Sequence, residues 1–149
     1  MIKKMTKMMF MNYISKPVAN SFKRALSFSP ICQRILKIQD KEDFDQHVNN
    51  CKVPVIVDFF ATWCGPCKIL QPLIENIVDE QNGKIHLLKV DIDDHAEIAM
   101  DFGISVVPVL VSMIDGKVKS KIIGSQDEDQ LRNFVTKLIE ESNVQKEKL

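Results

Sequence analysis

Val53-Pro54-Val55-Ile56-Val57-Asp58-Phe59-Phe60-Ala61-Thr62-Trp63-Cys64-Gly65-Pro66-Cys67 decides how the rest of the chain is read. Its first nine residues are nearly all apolar and rich in Val, Ile and Phe. A strand covered on both faces has this composition, because neither face needs polar side chains. Two cysteines then follow three residues apart, and a helical pattern begins at them. Leu70, Leu73, Ile74 and Ile77 mark its apolar stripe to about residue 82, Gly83 stands just past its end, and Pro72 inside it should kink it.

Working outward, helix and strand signals alternate. Residues 35–38 form a short apolar strand, and Asp40 is placed to cap a helix to about residue 49 with Phe44 and Val48 inward. Residues 85–90 read as a strand and 96–102 as a short helix. Val106-Val107-Pro108 leads into a strand over 109–114, which Asp115-Gly116 turns back into 117–123. Ser125 and Glu128 have capping-box spacing for a last helix, whose stripe is Leu131, Phe134, Val135, Leu138 and Ile139. Residues 142–149 read as a polar, frayed tail. The order β-α-β-α-β-α-β-β-α requires parallel pairing early and one antiparallel hairpin late. The expected fold is therefore α/β, a mixed sheet with helices on both faces.

Charge divides the chain in two. Residues 1–39 carry eight Lys/Arg and no acid, while the remaining 110 residues carry 12 basic and 20 acidic side chains. An acid-free, Ser-containing basic start, with Ile2, Met5, Met9 and Tyr13 at helical spacing, reads as an organelle transit peptide. The plainer alternative is a basic tail that binds something acidic. The expected organisation is a cleaved transit peptide over 1–34, a globular domain over 35–141 and the tail over 142–149. No run of about 18 apolar residues is present, so no helical membrane span is expected.

Four cysteines, at 32, 51, 64 and 67, are too few for a disulfide scaffold. A zinc site would need a second pair or matched histidines, and His47, His86 and His95 have no such spacing. Two buried core cysteines fit poorly beside Trp, Gly and Pro. A redox dithiol at a strand–helix junction fits best. Residues three apart on a helix share a face, at a separation a disulfide can bridge. Cys64, at the helix start, meets unpaired amide groups that favour a thiolate, so it is the expected nucleophile and Cys67, one turn in, the resolving thiol.

Asp58 is the sole charge in the apolar run. Buried there it would stay protonated above the ordinary carboxylate range and could exchange a proton with Cys67. The alternative is an Asp at the strand's end that reaches solvent. Pro108 pushes Val107 toward an extended backbone, and a cis bond would bring that backbone to the dithiol.

The segment from Val57 through Trp63-Cys64-Gly65-Pro66-Cys67-Lys68 resembles the active-site segment of the thioredoxin family. Lys89-Val90-Asp91-Ile92-Asp93-Asp94-His95 and the stretch from Gly124 to Leu131 resemble its animal mitochondrial branch. The likeness covers about residues 35–141. It implies the thioredoxin fold, with a five-stranded mixed sheet flanked by four helices, and a cis Pro108. It further implies that Asp58 and Lys89 are the family's buried acid and nearby lysine, and that Trp63, Gly65, Pro66, Ile92, Val107, Pro108 and Gly124 dock substrate peptides. It implies a protein-disulfide reductase and electron carrier of the mitochondrial matrix that maintains thiol redox balance. An NADPH-dependent thioredoxin reductase would recycle it, and peroxiredoxins and other disulfide-containing proteins would be its clients. A monomer is expected, with no cofactor, metal, nucleic acid or membrane.

Three positions depart from the family pattern. Val109 replaces the usual Thr after the proline, Phe60 replaces a frequent Trp, and Cys51 has no counterpart and is expected as a partly exposed loop thiol. Oxidase or isomerase activity is the competing enzymatic reading, but no His stands between the cysteines. A partner-docking module switched by redox state is the competing non-enzymatic one.

Overall fold

The computed structural model describes residues 34–147. The transit-peptide reading of residues 1–34 and the fate of Cys32 therefore concern residues that lie, Arg34 apart, outside the described ones.

Five strands and four helices alternate: β1 (Ile35–Lys37), α1 (Lys41–Asn50), β2 (Val55–Phe60), α2 (Gly65–Glu80), β3 (His86–Asp91), α3 (Ala96–Asp101), β4 (Val109–Ile114), β5 (Lys117–Ile123) and α4 (Glu128–Lys146). The sheet order is β1-β3-β2-β4-β5. β3 pairs in parallel with β1 and β2, while β4 runs antiparallel to both β2 and β5. This is the thioredoxin fold expected from the sequence.

β2 is central and every one of its residues is buried. Side chains alternate between faces along a strand. Val55, Val57 and Phe59 enter one core with Phe44 and Val48 of α1 and Ile98 and Ala99 of α3. Ile56 enters the other, with Leu70, Ile74 and Ile77 of α2 and Leu131, Val135 and Leu138 of α4. Two helix-covered faces explain why β2 lacks the polar alternation of an edge strand. They also place Asp58, on the Ile56 side, beneath α2.

Local chemistry sets the boundaries. Asp40 caps α1, its carboxylate accepting from the Asp43 amide at 2.8 Å. Asp115 and Gly116 have φ of 50° and 72°, the left-handed pair that a tight hairpin demands. α2 continues as one element through Pro72, although proline supplies no amide hydrogen to the preceding turn.

Three expectations are corrected. The capping box of α4 is Asp127–Gln130, not Ser125–Glu128. Asp127 accepts from the Gln130 amide at 2.8 Å, and Gln130 Oε1 accepts from the Asp127 amide at 3.0 Å. The two patterns overlap in the sequence, and Ser125 lies two residues too early for a helix that starts at Glu128. Residues past 141 are not a frayed tail up to residue 146. α4 runs to Lys146, and Ser142 is buried, one turn beyond Leu138 on the same face. Finally, Cys51 is not a surface thiol. It follows Val48 by three residues at the C-cap of α1, so it turns inward with the apolar stripe. Its Sγ lies 3.5 Å from His86 Nδ1, and burial pushes that imidazole's pKa down.

Candidate active site

The end of β2 and the start of α2 meet at the dithiol. β2 stops at Phe60, and the chain turns so that the Cys64 amide donates to the Ala61 carbonyl at 3.1 Å. Cys64 is the N-cap of α2, one position earlier than a first-turn residue. Its sulfur accepts from the Cys67 amide at 3.2 Å. Pro66 lies in the first turn, where its missing amide hydrogen costs nothing. The Cys64 and Cys67 Cα atoms are 5.3 Å apart and the two sulfurs form a disulfide. Both residues are buried, Cys64 at 4 % exposure and Cys67 at 1 %. Gly65, Pro66 and Trp63 around them are exposed.

Beneath the disulfide the wall is apolar. Phe60, Ala61, Cys64 and Cys67 form one cluster, with Ile92 and Val107 packed against it. Asp58 lies two residues before Phe60 on the same face and has no accessible surface. Neither of its carboxylate oxygens has a hydrogen-bond partner in the protein. Burial raises its pKa to about 7, Lys89 and Gln71 work against the rise, and Glu75 adds to it. The buried-acid expectation holds, and a solvated Asp at the strand's end does not.

Lys89 pairs with Asp58 in the β2–β3 register. Its ammonium does not rest on Asp58. Lys89 Nζ donates to Glu75 Oε1 at 2.6 Å and sits 5.6 Å over the Phe60 ring. Glu75 was not singled out in the sequence, because only the packing of α2 on β3 brings it to a lysine 14 residues away. Asp93 was missed for the same reason. Its Oδ2 accepts from Trp63 Nε1 at 2.8 Å, which holds the indole over the rim while 67 % of the residue stays exposed.

The facing rim comes from β3, β4 and β5. The Ile92 amide donates to the Phe60 carbonyl at 2.9 Å, tying the β3–α3 loop to the end of β2. The Val107–Pro108 bond is cis. The Gly124 amide donates to the Pro108 carbonyl at 2.9 Å, with Gly124 at φ of 83°, a conformation other residues rarely adopt. Val106 and Ile123 are more than half exposed, so Trp63, Val106 and Ile123 present apolar surface. Exposed apolar surface beside a reactive pair is a candidate docking surface. The structure thus brings every expected site residue to the β2–α2 junction, to its rim, or to the layer under it. Among the described residues, no three His, Cys, Asp or Glu gather where they could hold a metal ion.

A family model described as thioredoxin matches residues 35–137. The chain is 46% identical over 122 residues to the mitochondrial thioredoxin of Bos taurus, covering 82% of this chain and 74% of that one. It is 45% identical over 116 residues to the mitochondrial thioredoxin of Rattus norvegicus, covering 78% and 70%. Among solved structures, the thioredoxin of Malassezia sympodialis superposes with a TM-score of 0.64 at 33% identity, covering 70% of this chain and 90% of that one.

Proposed function

The chain belongs to the thioredoxin family and is a dithiol–disulfide oxidoreductase that reduces protein disulfides, and from that premise we propose that it works in the mitochondrial matrix with Cys64 as nucleophile, Cys67 as resolving thiol and Asp58 as proton relay. The observation that carries the assignment of roles is the Cys64–Cys67 pair at the α2 N-terminus, with Asp58 buried on the strand that leads into it.

In the reduced protein the Cys64 thiolate attacks one sulfur of a partner disulfide. A mixed disulfide forms and the partner's other sulfur leaves as a thiolate. The Asp58 carboxylate then takes the Cys67 proton. The Cys67 thiolate attacks Cys64 Sγ, the intramolecular disulfide closes, and the partner's second thiolate departs. Two electrons have moved to the partner. Lys89, drawn toward Glu75, supplies a positive charge beside Asp58. Trp63, Gly65, Pro66, Ile92, Val107, Pro108 and Gly124 form the surface on which the partner peptide lies, and the Val107 backbone pairs with it as an added strand. An NADPH-dependent thioredoxin reductase returns the protein to its dithiol form, and peroxiredoxins are among the clients. Residues 1–34 are the transit peptide, with the folded domain running from residue 35 to the end of α4 at Lys146; the basic, acid-free composition of residues 1–39 supports the transit peptide.

Two measurements test the reading. With NADPH and a mitochondrial thioredoxin reductase, the protein should reduce insulin disulfides at a rate proportional to its own concentration; oxidation of NADPH no faster than without it would refute the reductase partnership. The full-length chain carrying a fluorescent protein at its C-terminus should enter mitochondria, and a version lacking residues 1–34 should stay outside. Identical diffuse signals from the two would overturn the compartment assignment and leave the dithiol chemistry standing.

A further inference from the structure

Among the described residues, three buried side-chain polar atoms lack a hydrogen-bond partner in the protein: Asp58 Oδ1, Asp58 Oδ2 and Gln71 Nε2. They belong to two side chains that face each other across the β2–α2 packing. Gln71 lies one turn beyond Cys67 on α2 and one turn before Glu75. The same helix face thus carries, in order, the resolving thiol, a primary amide, and the carboxylate that holds Lys89. Orphaned buried polar atoms are rare, because each gives up its hydration without compensation. A donor and two acceptors left open side by side are complementary. The Gln71 side chain has three rotatable bonds with which to turn its N–H toward the carboxylate.

We infer that Gln71 is a positioning residue for the release step: its amide N–H donates to Asp58 when the carboxylate is ionised and lets go when Asp58 takes the Cys67 proton. The inference rests on the relay role proposed above for Asp58. It adds the group that makes an ionised carboxylate tolerable in that apolar site.

The other charged groups acting on Asp58 are few. Lys89 comes from β3, and Glu75 comes from α2 and works in the opposite sense. Cys67, on α2, is the proton donor, and β4 faces Asp58 with the apolar Leu110. Glu75 and Lys89 neutralise one another at 2.6 Å, so their combined field at Asp58 is smaller than either charge alone would give. This leaves the amide as the neutral group whose hydrogen bond distinguishes the ionised from the protonated acid. A merely structural glutamine at this place would fill volume equally well as a methionine.

Gln71→Met keeps length and volume and removes both donors. The Asp58 carboxyl should be followed by carbon NMR across pH in wild type and variant, alongside rapid-mixing measurement of the release step from a preformed mixed disulfide. In Gln71→Met the Asp58 midpoint should move upward by about one pH unit, and the acid limb of the release rate should move with it. Gln71→Glu, which adds a like charge, should move both further in the same direction. Thermal unfolding of the variants identifies any general loss of structure, which would not by itself shift a titration upward. An Asp58 midpoint unchanged in Gln71→Met overturns the inference, whatever the rate does. A midpoint that moves while the rate profile stays put upholds the action of Gln71 on Asp58 and refutes instead the relay role of that acid.

Discussion

Replacing Cys67 by Ser should convert the protein from a catalyst into a trap. The variant should accumulate disulfide-linked adducts with its clients, visible as bands on a non-reducing gel that vanish with dithiothreitol. Replacing Cys64 by Ser should give no adducts and lower disulfide reduction by on the order of 10³-fold or more. The asymmetry follows from the geometry of the α2 N-terminus. The sulfur at the N-cap accepts the Cys67 backbone amide at 3.2 Å, and that amide survives the Cys67→Ser change. The Cys64 thiolate therefore keeps both its hydrogen bond and the favourable end of the helix dipole. Its neighbours Trp63, Gly65 and Pro66 are exposed, so a partner disulfide can reach it. Cys67 is one turn deeper, at 1 % exposure, and meets only a sulfur already held on Cys64. Without it the attack step remains and the release step is lost. Adducts from the Cys64→Ser variant but not from Cys67→Ser would reverse the assignment of roles.

The central strand and the dithiol were legible in the sequence because each leaves a local trace. An apolar run with both faces covered looks like no other strand, and Asp115-Gly116 can hardly be anything but a hairpin turn between two such segments. Asp58 was legible for the opposite reason, as a charge where none is expected. What the sequence left obscure depended on long-range packing or on competition between nearby signals. Ser125–Glu128 and Asp127–Gln130 both satisfy capping-box spacing, and only the true start of α4 decides between them. Cys51 sits between Asn50 and Lys52, and those polar neighbours concealed an inward turn at the helix C-cap. Ser142 looked like tail because a buried serine has no hydropathy signature. The Glu75–Lys89 pair and the Trp63–Asp93 bond join residues 14 and 30 apart, and no spacing rule within one element could disclose either.

Asp58→Asn should stabilise the folded protein and slow its release step, two effects with different pH dependences. Burial raises the Asp58 pKa from the ordinary aspartate range to about 7. Below about pH 4 the acid is protonated in both folded and unfolded chains and contributes nothing to the difference. Between about pH 4 and pH 7 the unfolded chain has released a proton that the folded chain keeps, so stability falls as pH rises. Above pH 7 both states are ionised and the full penalty stands, on the order of 4 kcal/mol. An asparagine has the same shape and no charge to bury. Its advantage should be negligible near pH 4, grow through the intermediate range and level off near pH 8, as read by denaturant unfolding of the oxidised protein at each pH. An advantage that does not change with pH would show that the acid is not perturbed. The rate effect runs the other way. An amide cannot accept the Cys67 proton, so near neutral pH the thiol must wait for a solvent base, and release of a preformed mixed disulfide should slow by about 10²-fold. Raising the pH should narrow that gap, because the Cys67 thiol then ionises without help. A release rate equal to wild type at pH 7, in a variant that is more stable, would make Asp58 a stability liability with no part in proton transfer.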